Sequence, residues 1–170
     1  NYKIIFIGNI KYAPNKNACY EFVNKILPSI NEIYPEIEFH ILGEISKIDK
    51  FLLSIKKNIK ILNKVKNLDP YLNRTICGIA NLRIATGIQT KLLTYMSYGI
   101  PSVSSKQVIQ NFDAIKEGKL NFYNSNQELI KIILKFKKNK NFSLSASKRS
   151  LKIIKNFKWE KILPILGKLI

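Results

Sequence analysis

Cysteine, histidine and arginine are scarce in this chain. Two cysteines and one histidine in 170 residues leave no metal-ligand spacing. Cys19 and Cys77 lie far apart among apolar neighbours and read as buried thiols of a reducing, cytoplasmic compartment, not as a disulfide. His40 sits inside an apolar strand with no acidic or cysteine neighbour at catalytic spacing, so it reads as structural. There is no Ser-His-Asp pattern and no paired-carboxylate site; Asp113 and Glu117, one turn apart, have the spacing common on solvated helix faces. No apolar run approaches the ~20 residues that cross a bilayer. No signal peptide precedes the first strand. The chain opens on Asn1 rather than methionine, which raises the expectation of a piece cut from a longer protein.

Acidic residues are also few: 11 against 29 basic ones, for a net charge of +18. Only Arg74, Arg83 and Arg149 are arginines, and the lysines spread over almost every segment. Specific nucleic-acid recognition favours the arginine fork, clustered on one face. Lysine, isoleucine and asparagine together are what an AT-rich genome encodes. The charge therefore reads as a solvated lysine-rich surface, with no nucleic-acid partner.

What is present is an alternation of short apolar runs with helical patterns. Lys3–Gly8 is nearly continuous apolar, the mark of a strand buried on both faces. Asn15 or Asn17 can cap a helix that places Ala18, Cys19, Phe22, Val23, Ile26, Leu27 and Ile30 on one face, and Pro28 predicts a kink or break. Strands are expected at Glu36–Gly43, Asn58–Asn63, Thr75–Ala80, Pro101–Ser104 and Leu120–Tyr123. Helices are expected at Ser46–Lys57, Leu68–Asn73, Thr86–Tyr98, 126–138, 141–155 and 158–169. This order predicts a single α/β domain over 1–170, a doubly wound parallel sheet of about six strands, Rossmann-like.

The most informative stretch is Arg83 to Pro101. Thr86 and Gln89 have capping-box spacing, so the reading puts Thr86 at the helix N-cap. Gly87 keeps side-chain bulk away. The free amides of the first turn, from Thr86, Gly87 and Ile88, with the positive end of the helix dipole, suit an anion such as phosphate. Lys91, one turn in, adds a point charge, although an exposed lysine would be ordinary here. Ligands in such sheets bind outside the strand carboxyl ends where strand order reverses. If the first and fourth strands are neighbours, Gly8, Lys11, Asn15, Arg83, Thr86, Gly87 and Lys91 surround one pocket. For Arg83 a phosphate or sugar contact and a structural ion pair both remain open; Lys11 and Lys16 read as more exposed than bound.

In order along the chain, several motifs resemble the C-terminal, nucleotide-sugar-binding half of a GT-B-fold glycosyltransferase of the glycosyl transferases group 1 type. They are Phe6-Ile-Gly8 with Tyr12-Ala-Pro-Asn15, Leu27-Pro28, Ile41-Leu-Gly43, Val65-Lys-Asn-Leu-Asp69 with Tyr71-Leu72, Leu82-Arg83, Thr86-Gly-Ile-Gln-Thr-Lys91, Tyr98-Gly-Ile-Pro-Ser-Val103 and Phe157-Lys-Trp159. The resemblance implies a UDP- or GDP-sugar donor as substrate, with its diphosphate on the helix dipole and basic residues, retention of anomeric configuration, and no cofactor or obligatory metal. It also implies an absent N-terminal domain that carries the acceptor site, toward which a terminal helix at 157–170 would pack. The acceptor would be a glycan or lipid-linked sugar of cell-surface polysaccharide or glycolipid assembly. Three positions depart from the family. Thr94 stands where a glutamate usually contacts the donor ribose, and Thr86 where a second acid is usual; a hydroxyl bonds a ribose more weakly than a carboxylate. Asn63 stands where glycine is frequent.

The tail from Lys148 to Ile170 mixes Leu, Ile, Phe and Trp with lysine at helical spacing. This suits either a core-packed helix or a surface resting on anionic lipid at the inner face of a membrane. A rival to the transferase reading is a non-catalytic basic module for membrane or nucleic acid on a degenerate half.

Overall fold

The structure is a computed structural model that describes residues 2–63, 65, 67–85, 89–110 and 120–155. Six strands form one sheet: β1 (Lys3–Ile7), β2 (Glu38–Leu42), β3 (Ile59–Leu62), β4 (Thr75–Ala80), β5 (Ser102–Ser105) and β6 (Asn121–Tyr123), in the order β3-β2-β1-β4-β5-β6. Every pairing is parallel. Strand order reverses between β1 and β4, which form the centre of the sheet. Ile4, Ile5, Phe6, Cys77 and Ile79 are fully buried there, and Phe39 and Ile41 in the adjoining β2, as their apolar runs require.

Between the strands run α1 (Ala13–Glu21), α2 (Leu27–Ile33), α3 (Lys47–Ser54), α4 (Asp69–Leu72), α5 (Thr90–Ser97), α6 (Lys106–Gln110), α7 (Asn126–Lys138) and α8 (Lys140–Ile154). Phe22 stacks on Phe39, with ring centroids 4.4 Å apart. The Tyr95 ring of α5 lies on Gly78. Phe39 is in register with Ile4, and Gly78 with Ile5. Side chains alternate along a strand, so these two packings are on opposite faces of the sheet. α7 joins the α1–α2 layer, and α8 packs on α5.

The break expected at Pro28 takes a specific form. A π-helical turn, Phe22–Ile26, joins α1 to α2, and the Leu27 N–H donates to the Phe22 carbonyl. The cause is legible in the spacing. The apolar residues Ala18, Phe22, Ile26 and Ile30 recur every four positions, whereas an α-helix turns every 3.6 residues and would rotate the last of them off the face. One wide turn absorbs that drift. It falls just before Pro28, which has no N–H to give and sits in the first turn of α2, where none is needed.

Two helix starts differ from expectation. α1 opens at Ala13 with Pro14 in its first turn and Tyr12 at the N-cap, not at Asn15 or Asn17; proline's fixed φ suits that turn. α5 opens at Thr90, with Gln89 as its N-cap in extended backbone, φ −82 and ψ 106. An extended Gln89 cannot be the third residue of a helix capped by Thr86, so the expected capping box does not form. Thr86, Gly87 and Ile88 themselves lie outside the described residues, as do Asp113, Glu117 and the expected helix at 158–169.

Candidate site at the carboxyl edge between β1 and β4

The two central strands part before they end. Their register runs from Lys3–Thr75 to Ile5–Gly78 and no further. Beyond it the backbone of β1 needs another partner, and the Tyr95 hydroxyl supplies one. It accepts from the Ile7 N–H at 3.0 Å and lies 3.1 Å from the Ile79 carbonyl, to which it donates. Gly78 makes this possible, since a Cβ there would sit 2.5 Å from the ring. Tyr95 is fully buried and wedges the strands apart, opening a notch at the sheet's carboxyl edge. Sequence reasoning missed it; the signal was a tyrosine one turn after Lys91 facing a glycine in the strand.

The β1–α1 loop forms one wall of the notch. Gly8 donates its N–H to the Leu42 carbonyl at 2.9 Å, tying the loop to β2. A Cβ on Gly8 would meet the Asn15 amide at 3.0 Å, so glycine leaves room for that side chain. Asn15 is 8% exposed. Its Nδ2 donates to the Asn9 carbonyl at 2.8 Å, and its Oδ1 accepts from Lys91 Nζ at 3.1 Å.

Lys91 rises from the first turn of α5 and is 6% exposed. Its ammonium also reaches Gln89 Oε1 at 3.4 Å and lies 5.1 Å from the Phe6 ring centroid. Among the described residues it meets no carboxylate. Burial pushes its pKa down from 10.5 to about 8. A buried cation held by two amide oxygens and an aromatic face is incompletely compensated, and an entering anion would complete it.

The structure thus gathers Gly8, Asn15 and Lys91 at one place. Lys11 turns away, exposed, to Glu44 at 3.4 Å. Arg83 grips Glu21 of α1 with both edges of the carboxylate, Nε at 3.0 Å and Nη2 at 2.6 Å. It lines a separate polar recess with Ser105, Lys106, Tyr123 and Asn126. Lys16, read as solvent-exposed, pairs with the buried Asp49 at 2.9 Å. The Asp49 carboxyl also accepts from Ser46 and Tyr20; the Ser46 bond is the main reason its pKa lies below the usual range. Thr94, half-buried one turn after Lys91, donates to the Thr90 carbonyl at 3.0 Å.

His40 does have an acidic neighbour, contrary to expectation: Nε2 lies 2.7 Å from Glu38, because residues two apart share a strand face. Burial holds its pKa below 6.5. The pair is away from the carboxyl edge. Among the described residues no three His, Cys, Asp or Glu side chains gather as a metal site, and no helix is long and apolar enough to cross a membrane. A cavity of about 680 Å³ opens at the opposite edge between α2 and the α7–α8 turn, among Ile33, Tyr34, Lys135 and Lys138. Asn139, Lys140 and Asn141 also line it, but it lies away from the carboxyl edge where Asn15 and Lys91 meet.

Comparison with known proteins agrees with this fold. A family model described as glycosyl transferases group 1 matches residues 1–139. No curated protein matches in sequence. Among solved structures the chain is similar to TarM of S. aureus, with 16% identity over 99% of this chain and 36% of that one, TM-score 0.76. It is also similar to Anabaena HepE, solved with UDP and glucose, with 11% identity over 99% and 48% of the two chains, TM-score 0.74. The C-terminal domain of the group 1 family protein LpcC from Francisella tularensis shares 10% identity over 91% and 85%, TM-score 0.68. The chain spans 36% and 48% of the first two, and most of the isolated C-terminal domain.

Proposed function

The chain belongs to the glycosyl transferases group 1 family, and on that premise we propose that it is the donor-binding half of a glycosyltransferase using a UDP- or GDP-sugar. The observation that carries this reading is Lys91: a buried ammonium that meets no carboxylate among the described residues, at the carboxyl edge between the two central strands. UDP in the solved structures of HepE and TarM supports a nucleoside diphosphate as the anion that Lys91 would meet. In transfer, the bond from the anomeric carbon to the terminal phosphate oxygen breaks and an acceptor oxygen takes its place. Negative charge then grows on the departing diphosphate. Lys91, fixed by Asn15 before the donor arrives, stabilises that charge without reorganising. Amides at the start of α5 add their dipole. Thr94 is the ribose contact on this reading and the 86–88 segment a secondary phosphate contact; Arg83 and Lys11, paired with Glu21 and Glu44, would reach the donor only by leaving those carboxylates.

The acceptor, a glycan or lipid-linked sugar, would be held by an N-terminal domain outside this chain. The transfer would retain configuration and need no metal, in cell-surface polysaccharide or glycolipid assembly at the inner face of the membrane.

Calorimetry with UDP, GDP and their sugars tests the reading. Selective binding of one nucleotide, weakened at least about tenfold by Lys91→Met, is the expected result; a charge-assisted bond of ~1.5–3 kcal/mol accounts for it. Absence of nucleotide binding, together with salt-sensitive binding to DNA, would favour a non-catalytic basic module instead.

A further inference from the structure

The outer face of α3 is not that of an ordinary solvated helix. Ile48, Phe51 and Ile55, the last at the helix C-cap, are 72%, 66% and 63% exposed, and Leu52 is 42% exposed. At about 100° per residue the first three fall within about 60° of one another, with Leu52 beside them. The opposite side holds Asp49 and Leu53, both buried against the body of the protein. Asp49 is fully engaged with Lys16, Tyr20 and Ser46. The helix therefore anchors itself through one side and offers solvent an apolar stripe. Four of the twelve large apolar side chains exposed among the described residues belong to this short segment.

Lysines border the stripe. Lys47 and Lys50 flank it on one side, and Lys56 and Lys57 follow at its end; all four are exposed. The acid before the helix, Glu44, is paired with Lys11. Apolar groups pointing outward between flexible cations match one kind of surface closely: an anionic lipid bilayer. Phe, Ile and Leu enter the acyl boundary while the lysine stems run along it and leave their ammonium groups at the phosphates. A protein partner would need an apolar patch ringed by carboxylates. The charge of +18 over the chain adds long-range attraction to such a membrane.

We propose that α3 is a membrane-docking element, seating Phe51, Ile48 and Ile55 in the interface of an anionic bilayer. This attachment point is distinct from the tail beyond Lys148 and does not depend on the donor-site reading.

The test uses the full-length protein in sedimentation with vesicles of phosphatidylcholine, with or without about one-third phosphatidylglycerol. Binding to the anionic vesicles alone is expected. It should fall at least about tenfold in Phe51→Ser/Ile55→Ser, and similarly in Lys47→Glu/Lys50→Glu, with nucleotide affinity unchanged. Unchanged vesicle binding in the serine pair would overturn the proposal. A second readout labels Ile55→Cys with an environment-sensitive dye, which is selective because both native thiols are buried. Emission that shifts blue only with anionic vesicles supports docking. Emission already blue without vesicles would mean that protein covers the face, whether another domain or a second copy, and would also overturn it.

Discussion

At the scale of single residues, Lys91 sets a conflict between stability and binding. Holding an ammonium whose pKa has moved from 10.5 to about 8 costs the folded state on the order of 3 kcal/mol at neutral pH. The sign follows from proton counts. Between about pH 8 and 10.5 the unfolded chain keeps this proton more often than the folded one, so the penalty, complete below 8, fades as pH rises. Lys91→Met should therefore stabilise the empty protein by about 1–2 kcal/mol at pH 7, after the lost bond to Asn15 is subtracted. Urea denaturation should show that advantage shrinking toward pH 10. Nucleotide affinity of the native protein should fall above about pH 8, as the ammonium neutralises, by at most about tenfold per pH unit. The sequence located Lys91 correctly in its helix but could not reveal its burial. Its partner Asn15 is 76 positions away, and only the β1–β4 adjacency brings them together. Arg83 shows the same gap: of its two open readings, the ion pair is what the structure contains, with a glutamate 62 positions earlier.

Elements carry the geometry of the notch. The fit of Tyr95 on Gly78 leaves no space for a methyl group, with ring atoms 2.5 Å from where it would lie. Gly78→Ala should lower stability by about 1–3 kcal/mol through overpacking. It should also weaken nucleotide binding, because α5 must lift and take Lys91 with it; thermal unfolding and calorimetry on one preparation check both. The central strands β1 and β4 were legible because residues buried on both faces are apolar there. Helix ends were less so. α7 began where expected, at 126, since Ser125 caps it through the Glu128 N–H, a pattern written locally. The start of α5 was misread because Thr86 and Gln89 satisfy the same pattern in sequence, while the backbone at Gln89 is extended. The π-turn was half legible: its four-residue stripe is visible, but the proline drew attention to a break.

For the molecule as a whole, the charge of +18 is a self-repulsion that the fold must withstand. Raising sodium chloride from low to physiological strength should increase the melting temperature, since screening over about 8–10 Å relieves it; a flat response would show that the lysines are already neutralised locally. A doubly wound parallel sheet of about six strands followed from the alternation of strands and helices, whereas the strand order, with β1 beside β4, was only a condition in the sequence and came from the structure; the side-chain contacts across the sheet were the least legible.

The incompletely compensated ammonium in the notch makes the empty protein its own reporter. A ligand that neutralises it returns the energy spent on burying it, in addition to the ligand's own contacts. A panel of sugar nucleotides ranked by the rise in unfolding temperature, native chain against Lys91→Met, would thus separate true occupants from bystanders before any acceptor is known.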